Sequence, residues 1–140
     1  MQPISMEAEF MMSYSLANTR LVKKIEYQLS IHGLSFTEYM IMHQLDNAPN
    51  KTMRRIELAE SVAISASGVT RLIAPMEKTG LVEKEANPRD ARVSLVKLSA
   101  SGERLYQEAS MSFEHTVKHL TRQLSTYQLE KLIEFTGKLM

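Results

Sequence analysis

Up to Gly80 the apolar residues recur at helical intervals, and directly after it they stop doing so. Leu81 to Glu85 is short and alternates charge, Asn87-Pro88-Arg89-Asp90 has the composition of a turn, and Val93 to Leu98 is rich in β-branched residues and leucine. These signals predict a hairpin of two strands with a charged tip. An isolated hairpin is marginal in water, so this one must lean on helices. The expected class is therefore mainly α, with one small β-hairpin set between helical segments.

The helical segments announce their own ends. Met6 to Ser30 contains neither Pro nor Gly, and its apolar residues Phe10, Tyr14, Leu21, Ile25 and Leu29 predict one long helix. Gly33 suits the left-handed position that closes it. Ser35 and Glu38 have the S-x-x-E spacing of a capping box, opening a second helix that runs to about Leu45. Asp46 to Asn50 is a turn cluster. Thr52 is placed to cap a third helix covering Ile56 to Val62, and Ser65 to cap a fourth. In the fourth, Val69, Leu72, Ile73 and Met76 form one buried stripe, while Ser67, Thr70, Arg71 and Ala74 share the opposite face. Pro75 removes one backbone donor, which costs roughly 3 kcal/mol in an unadapted helix, so the N-terminal half is the part free to read a surface. Ser99 caps a long fifth helix with a stripe of Leu105, Ala109, Phe113, Val117, Leu120 and Leu124. Ser125 with Gln128 opens a last helix, with Leu129, Leu132 and Ile133 expected to face inward.

Composition narrows the functional classes. A chain of 140 residues with 44% hydrophobic and 24% charged residues is an ordinary globular domain. No window holds enough consecutive uncharged apolar residues for a transmembrane helix, so no membrane partner is expected. Met1 to Phe10 carries Glu7 and Glu9 without a basic residue, unlike a secretory signal. Cysteine is absent, which excludes disulfides, thiolate metal sites and cysteine redox switching and fits a cytoplasmic setting. No phosphate-cradling glycine loop, nucleophile elbow or H-E-x-x-H occurs, so neither an enzyme nor a bound cofactor is expected. The net charge is only +1, but Lys51 to Arg104 holds ten Lys/Arg against seven Asp/Glu. That modestly basic middle suits an anionic partner.

Two short helices around a tight break, followed by a hairpin with a basic tip, make a winged helix-turn-helix. The major groove of DNA accepts one helix, provided that the helix turns small and polar side chains outward. Ser67, Thr70 and Arg71 meet that need, and the Ser65 end offers free backbone N–H groups to phosphate. Arg89 and Arg92 at the hairpin tip are placed to enter a minor groove. Arg54, Arg55 and Lys84 add charge for phosphates. A first helix spanning roughly 37 Å is too long for a fold of this size to cover alone, which favours a dimer.

Four runs in order, Ser67-Gly68-Val69-Thr70-Arg71-Leu72, Glu77-Lys78-Thr79-Gly80-Leu81-Val82, Asp90-Ala91-Arg92-Val93 and Leu98-Ser99-Ala100-Ser101-Gly102, resemble the MarR family of bacterial transcription regulators. The resemblance covers nearly the whole chain. It implies a single MarR-like domain over 1–140, with residues 1–34 and 104–140 forming a helical dimerisation region and 35–103 the winged helix-turn-helix lobe. It implies a homodimeric, ligand-responsive repressor on a pseudo-palindromic operator. Arg92 is then the wing arginine, Asp90 braces the wing by pairing with an arginine, and Thr70 and Arg71 lie on the recognition helix. Tyr14, Tyr39 and His43 are candidates to line the family's effector cleft for a small aromatic or phenolic molecule.

Two other readings stand beside this one. A winged helix that has lost DNA can serve as a protein-interaction module, against which Arg71 and Arg92 argue. His115 and His119 stand four residues apart, a spacing that can bind zinc or nickel in a metal-responsive regulator, with His43 as a candidate third ligand. Of the ten methionines, Met11, Met12, Met40 and Met42 suit core filling or a soft ligand cavity.

Overall fold

Serine sets the start of five of the six helices in the computed structural model, which describes residues 2–140. Ser5, Ser35, Ser65, Ser99 and Ser125 each accept a hydrogen bond from the backbone N–H three positions on. They open α1 (Met6–Ser30), α2 (Phe36–Asp46), α4 (Ala66–Lys78), α5 (Ala100–Leu120) and α6 (Thr126–Gly137). The boxes at Ser35–Glu38 and Ser125–Gln128 are both closed. Gly33 and Gly80 adopt positive φ where α1 and α4 end, as expected of them.

The third helix is where the expectation fails. α3 spans Arg55–Ser61, and its N-cap is Arg54, whose backbone N–H donates to the Glu57 carboxylate. Thr52 does not cap it, because Thr52 lies in a strand and its hydroxyl donates to the Asn50 carbonyl at 2.8 Å. That strand, β1 (Thr52–Arg54), makes the β element a three-stranded antiparallel sheet in the order β1-β3-β2. The predicted hairpin strands are β2 (Val82–Ala86) and β3 (Ser94–Leu98), and β3 is central. Its register sets Thr52 opposite Lys97 on one side and Val82 opposite Leu98 on the other.

The core lies under this sheet. Ile41, Met42 and Leu45 of α2, Leu58 of α3, Val69, Ile73 and Met76 of α4 and Val96 of β3 are all fully or almost fully buried. Ile25 and Leu29 bring the end of α1 into the same cluster, and Ala109 brings α5. α4 runs on to Lys78 through Pro75, which sits on its exposed face. Two joints hold the outer helices to this body. Both carboxylate oxygens of Glu26 lie 3.1 Å from the Phe36 N–H, placing a negative charge at the start of α2. The Ser99 hydroxyl donates to the Gly80 carbonyl at 2.5 Å, and a Cβ on Gly102 would collide with the Leu81 carbonyl oxygen.

The inward face predicted for α6 is not inward. Leu129 is half-buried, but Leu132 is 48% and Ile133 73% exposed, and α6 buries no residue. The stripe of α5 also stops at Leu120, and Leu124 lies exposed in the following turn. Phe10, Tyr14 and Leu21 of α1 are likewise exposed. Periodicity identified apolar faces correctly, but within one chain nothing packs against these. Among the described residues no helix is long and apolar enough to cross a membrane.

Candidate nucleic-acid interface

One face of α4 is committed to the core and the other to solvent. Val69, Ile73 and Met76 are buried and Leu72 half-buried, while Ser67, Thr70, Arg71, Ala74 and Lys78 are exposed. Small side chains keep the exposed face low near its start. The Ser65 hydroxyl accepts from the Gly68 N–H at 3.0 Å and lies 3.1 Å from the Ser67 hydroxyl, and the Thr70 hydroxyl donates back to the Ala66 carbonyl. The guanidinium of Arg71 has no hydrogen-bond or ion-pair partner among the described residues. It borders a concavity of about 390 Å³ shared with Ser35 and Thr37 from the start of α2. Sequence reasoning did not connect α2 to this face, because Ser35 and Thr37 lie thirty or more positions from Arg71.

The tip between β2 and β3 is organised by two short side-chain acceptors. Asn87 Oδ1 accepts from the Arg89 N–H at 3.0 Å, and Asp90 Oδ1 accepts from the Arg92 N–H at 3.0 Å. Asp90 also faces the Arg92 guanidinium at 3.2 Å. The arginine that Asp90 pairs with is Arg92 itself. These hydrogen bonds from Arg92 hold the Asp90 carboxyl below its ordinary pKa. The Arg92 side chain is 91% exposed despite the pair, and Arg89 is exposed without a side-chain partner among the described residues.

The other predicted cations are spent differently. Arg54 pairs with Glu57 at 2.8 Å, and Arg55 is half-buried against Glu77 at 3.0 Å, tying α3 to α4. Lys51 holds both Asp46 and Glu103. Arg71, Lys84, Arg89 and Arg92 therefore carry the accessible positive charge of the predicted set.

Behind the interface, α2 and α5 enclose a cleft of about 320 Å³. Tyr39 and His43 line it, and Tyr14 does not. Tyr14 stacks on Phe10 at 5.9 Å along the exposed part of α1. The structure replaces it with Tyr106, Ser110, Phe113 and Glu114. The Tyr39 hydroxyl is 2.9 Å from Ser110, and the Tyr106 hydroxyl is 2.6 Å from His43 Nδ1. Burial pushes the Tyr39 phenol up to about 12, against the lowering effect of its bond to Ser110. His43 is therefore engaged with Tyr106 and does not complete a metal site. His115 and His119 lie one turn apart on α5, and no group of three metal-ligating side chains occurs among the described residues.

A model of the MarR family matches residues 32–93. The transcriptional repressor MprA of Escherichia coli K12 is 24% identical over 122 residues, which is 87% of this chain and 69% of that one. The structure of Sco3205, a MarR family transcriptional regulator from Streptomyces coelicolor in complex with DNA, superposes with a TM-score of 0.90 at 24% identity, covering 99% of this chain and 89% of that chain. NadR in complex with 4-hydroxyphenylacetate superposes with a TM-score of 0.82 at 23% identity, covering 99% and 97%. The last two likenesses show the winged-helix fold.

Proposed function

We propose that this chain, which belongs to the MarR family, is a cytoplasmic regulator that binds double-stranded DNA as a homodimer and represses transcription from a pseudo-palindromic operator. The observation that carries the proposal is the exposed, small and polar first half of α4, with an unpaired Arg71, opposite the buried Val69, Ile73 and Met76. A helix of that profile can enter a major groove until its backbone nears the bases. Thr70 and Arg71 read base edges, Ser65 and Ser67 approach phosphates, and Arg89 and Arg92 reach from the wing into the neighbouring minor groove. Arg54 and Arg55 act mainly through their ion pairs, and any phosphate contact they make competes with Glu57 and Glu77.

The lobe spans residues 35–103, and 1–34 with 104–140 form the dimerisation region. Support comes from the apolar side chains that the single chain leaves exposed on α1 and α6, among them Met11, Met12, Leu16, Ile133 and Phe135. The effector is a small aromatic or phenolic molecule held beside Tyr39 and His43. The likeness to NadR in complex with 4-hydroxyphenylacetate supports that class of ligand.

Selection of bound sequences from random duplex DNA tests the reading. The expected result is an inverted repeat with half-sites about one helical turn apart, and an interaction module would enrich no motif. Arg92→Ala is expected to weaken operator binding by about 1–3 kcal/mol. A variant as tight as the parent would remove the wing from the interface.

A further inference from the structure

We infer that Pro75 is a specificity-determining residue of the DNA-reading helix, its exposed ring meeting the 5-methyl group of a thymine in the major groove. The inference rests on the reading of α4 given above and extends it one turn past Arg71.

Three of the four prolines sit where they interrupt no helix. Pro3 precedes α1, Pro49 opens a short 3₁₀ turn (Pro49–Lys51), and Pro88 lies in the tip between β2 and β3. Pro75 alone stands inside a helix, the tenth of the thirteen residues of α4. Proline is the costliest residue in a helix interior, because it lacks the N–H that would bond the carbonyl four positions back, here that of Arg71. Core packing does not offset this cost, since Pro75 is exposed. Nor does Pro75 end the helix. α4 continues to Lys78, and the Pro75 carbonyl accepts from the Thr79 N–H and from the Thr79 hydroxyl, each at 3.1 Å. An interior proline predicts a break in the reading face, but the unbroken helix carries that face beyond it.

The ring offers hydrocarbon held in place. Ile73 and Met76, on either side of the Ala74-Pro75 pair, are 0% and 1% exposed, so the core grips the backbone at both ends. Alanine and proline have no rotamer freedom to lose on binding. Ala74 lies one turn beyond Thr70 and Pro75 one turn beyond Arg71, so the pair follows the two polar residues along the same exposed face. Thr70 and Arg71 can hydrogen-bond base edges, whereas Ala74 and Pro75 carry no side-chain donor or acceptor. The major-groove feature that such a surface matches is the thymine methyl. Cytosine and adenine present amino donors there and guanine two acceptors, and each would lose water to a ring with nothing to return. The pair thus favours thymine by contact and disfavours the other bases by desolvation.

Replacing the thymines of a selected operator one position at a time by deoxyuridine removes the methyl and nothing else. Fluorescence anisotropy at fixed salt reads the affinity. One thymine per half-site is expected at which the parent loses about fourfold, the worth of one buried methyl, and about fifteenfold when both half-sites are changed. Pro75→Ser and Pro75→Ala, which both restore the missing N–H, are expected to melt at a higher temperature than the parent. Pro75→Ser is expected to bind the thymine and deoxyuridine operators within about twofold of each other. A parent indifferent to every methyl, a Pro75→Ser variant that keeps the parent's dependence at every thymine, or a fall in Tm in both variants would each overturn the inference. A parent that selects no DNA sequence would overturn the reading of α4 together with it.

Discussion

Residues 34 to 98 and the two ends of the chain are built from similar amounts of apolar sequence, yet among the apolar residues of the ends only Ile25, Leu29 and Ala109 are buried. α2, α3, α4 and the sheet bury Ile41, Leu45, Leu58, Ile73 and Val96 completely. α6 buries nothing, and α1 up to Leu21 leaves every side chain exposed or nearly so. The middle carries most of the core, whereas the ends leave large apolar side chains such as Met11, Leu16, Ile133 and Phe135 exposed. In the dimer proposed above, a second copy supplies the missing surface.

That contrast can be broken at either end. Ile73→Ala should destabilise the middle by about 2–5 kcal/mol, because it empties a fully packed site. The loss in a urea titration should not depend on protein concentration. Ile133→Asp should leave the diluted chain's unfolding unchanged while weakening association by about 1.5–3 kcal/mol, the range for a buried isoleucine. Sedimentation velocity reads that shift, and an unchanged sedimentation coefficient would put α6 outside the interface. Gly102→Ala should cost about 1–3 kcal/mol by overpacking the joint at Leu81. A neutral result there would mean that the joint yields.

The smallest effect is expected at Tyr39. Its raised pKa means that folding favours the protonated phenol. The contribution is fully present below pH 10, the phenol's ordinary value, and is lost as pH rises toward about 12. Tyr39→Phe should therefore flatten the fall in stability over that window, at a cost of about 1 kcal/mol at neutral pH for the lost bond to Ser110. An unchanged alkaline profile would place the titration elsewhere.

The sequence made the starts of α2, α4, α5 and α6 legible because they are local. Each serine acts on a backbone N–H three residues away, and each closing glycine on its own φ. β1 was not legible for the opposite reason. Thr52 to Arg54 is too short to show alternation, and its partner strand lies about forty residues on, so only tertiary pairing defines it. The exposed face of α4 could be read from its periodicity, but not the pairing of Arg55 with Glu77, which joins two helices. The cleft was half legible. Tyr39 and His43 stand out on α2, while Phe113 reads simply as part of an apolar stripe and Tyr106 falls outside it. Tyr14 was misplaced because periodicity assigns a face and not a height along a 25-residue helix.

The junction at Ser99 and Gly102 bears on how a signal would travel. A hydroxyl clamped to the chain leaving α4, beside a glycine with no room for one more carbon, leaves α5 little freedom to slide at its root. A tilt imposed on α5 near Tyr106 or His115 is then handed on at that root as rotation of a stiff lever. In the dimer proposed above, α4 and the tip beside it would turn together, and the distance between two such heads is the quantity that a bound molecule would reset.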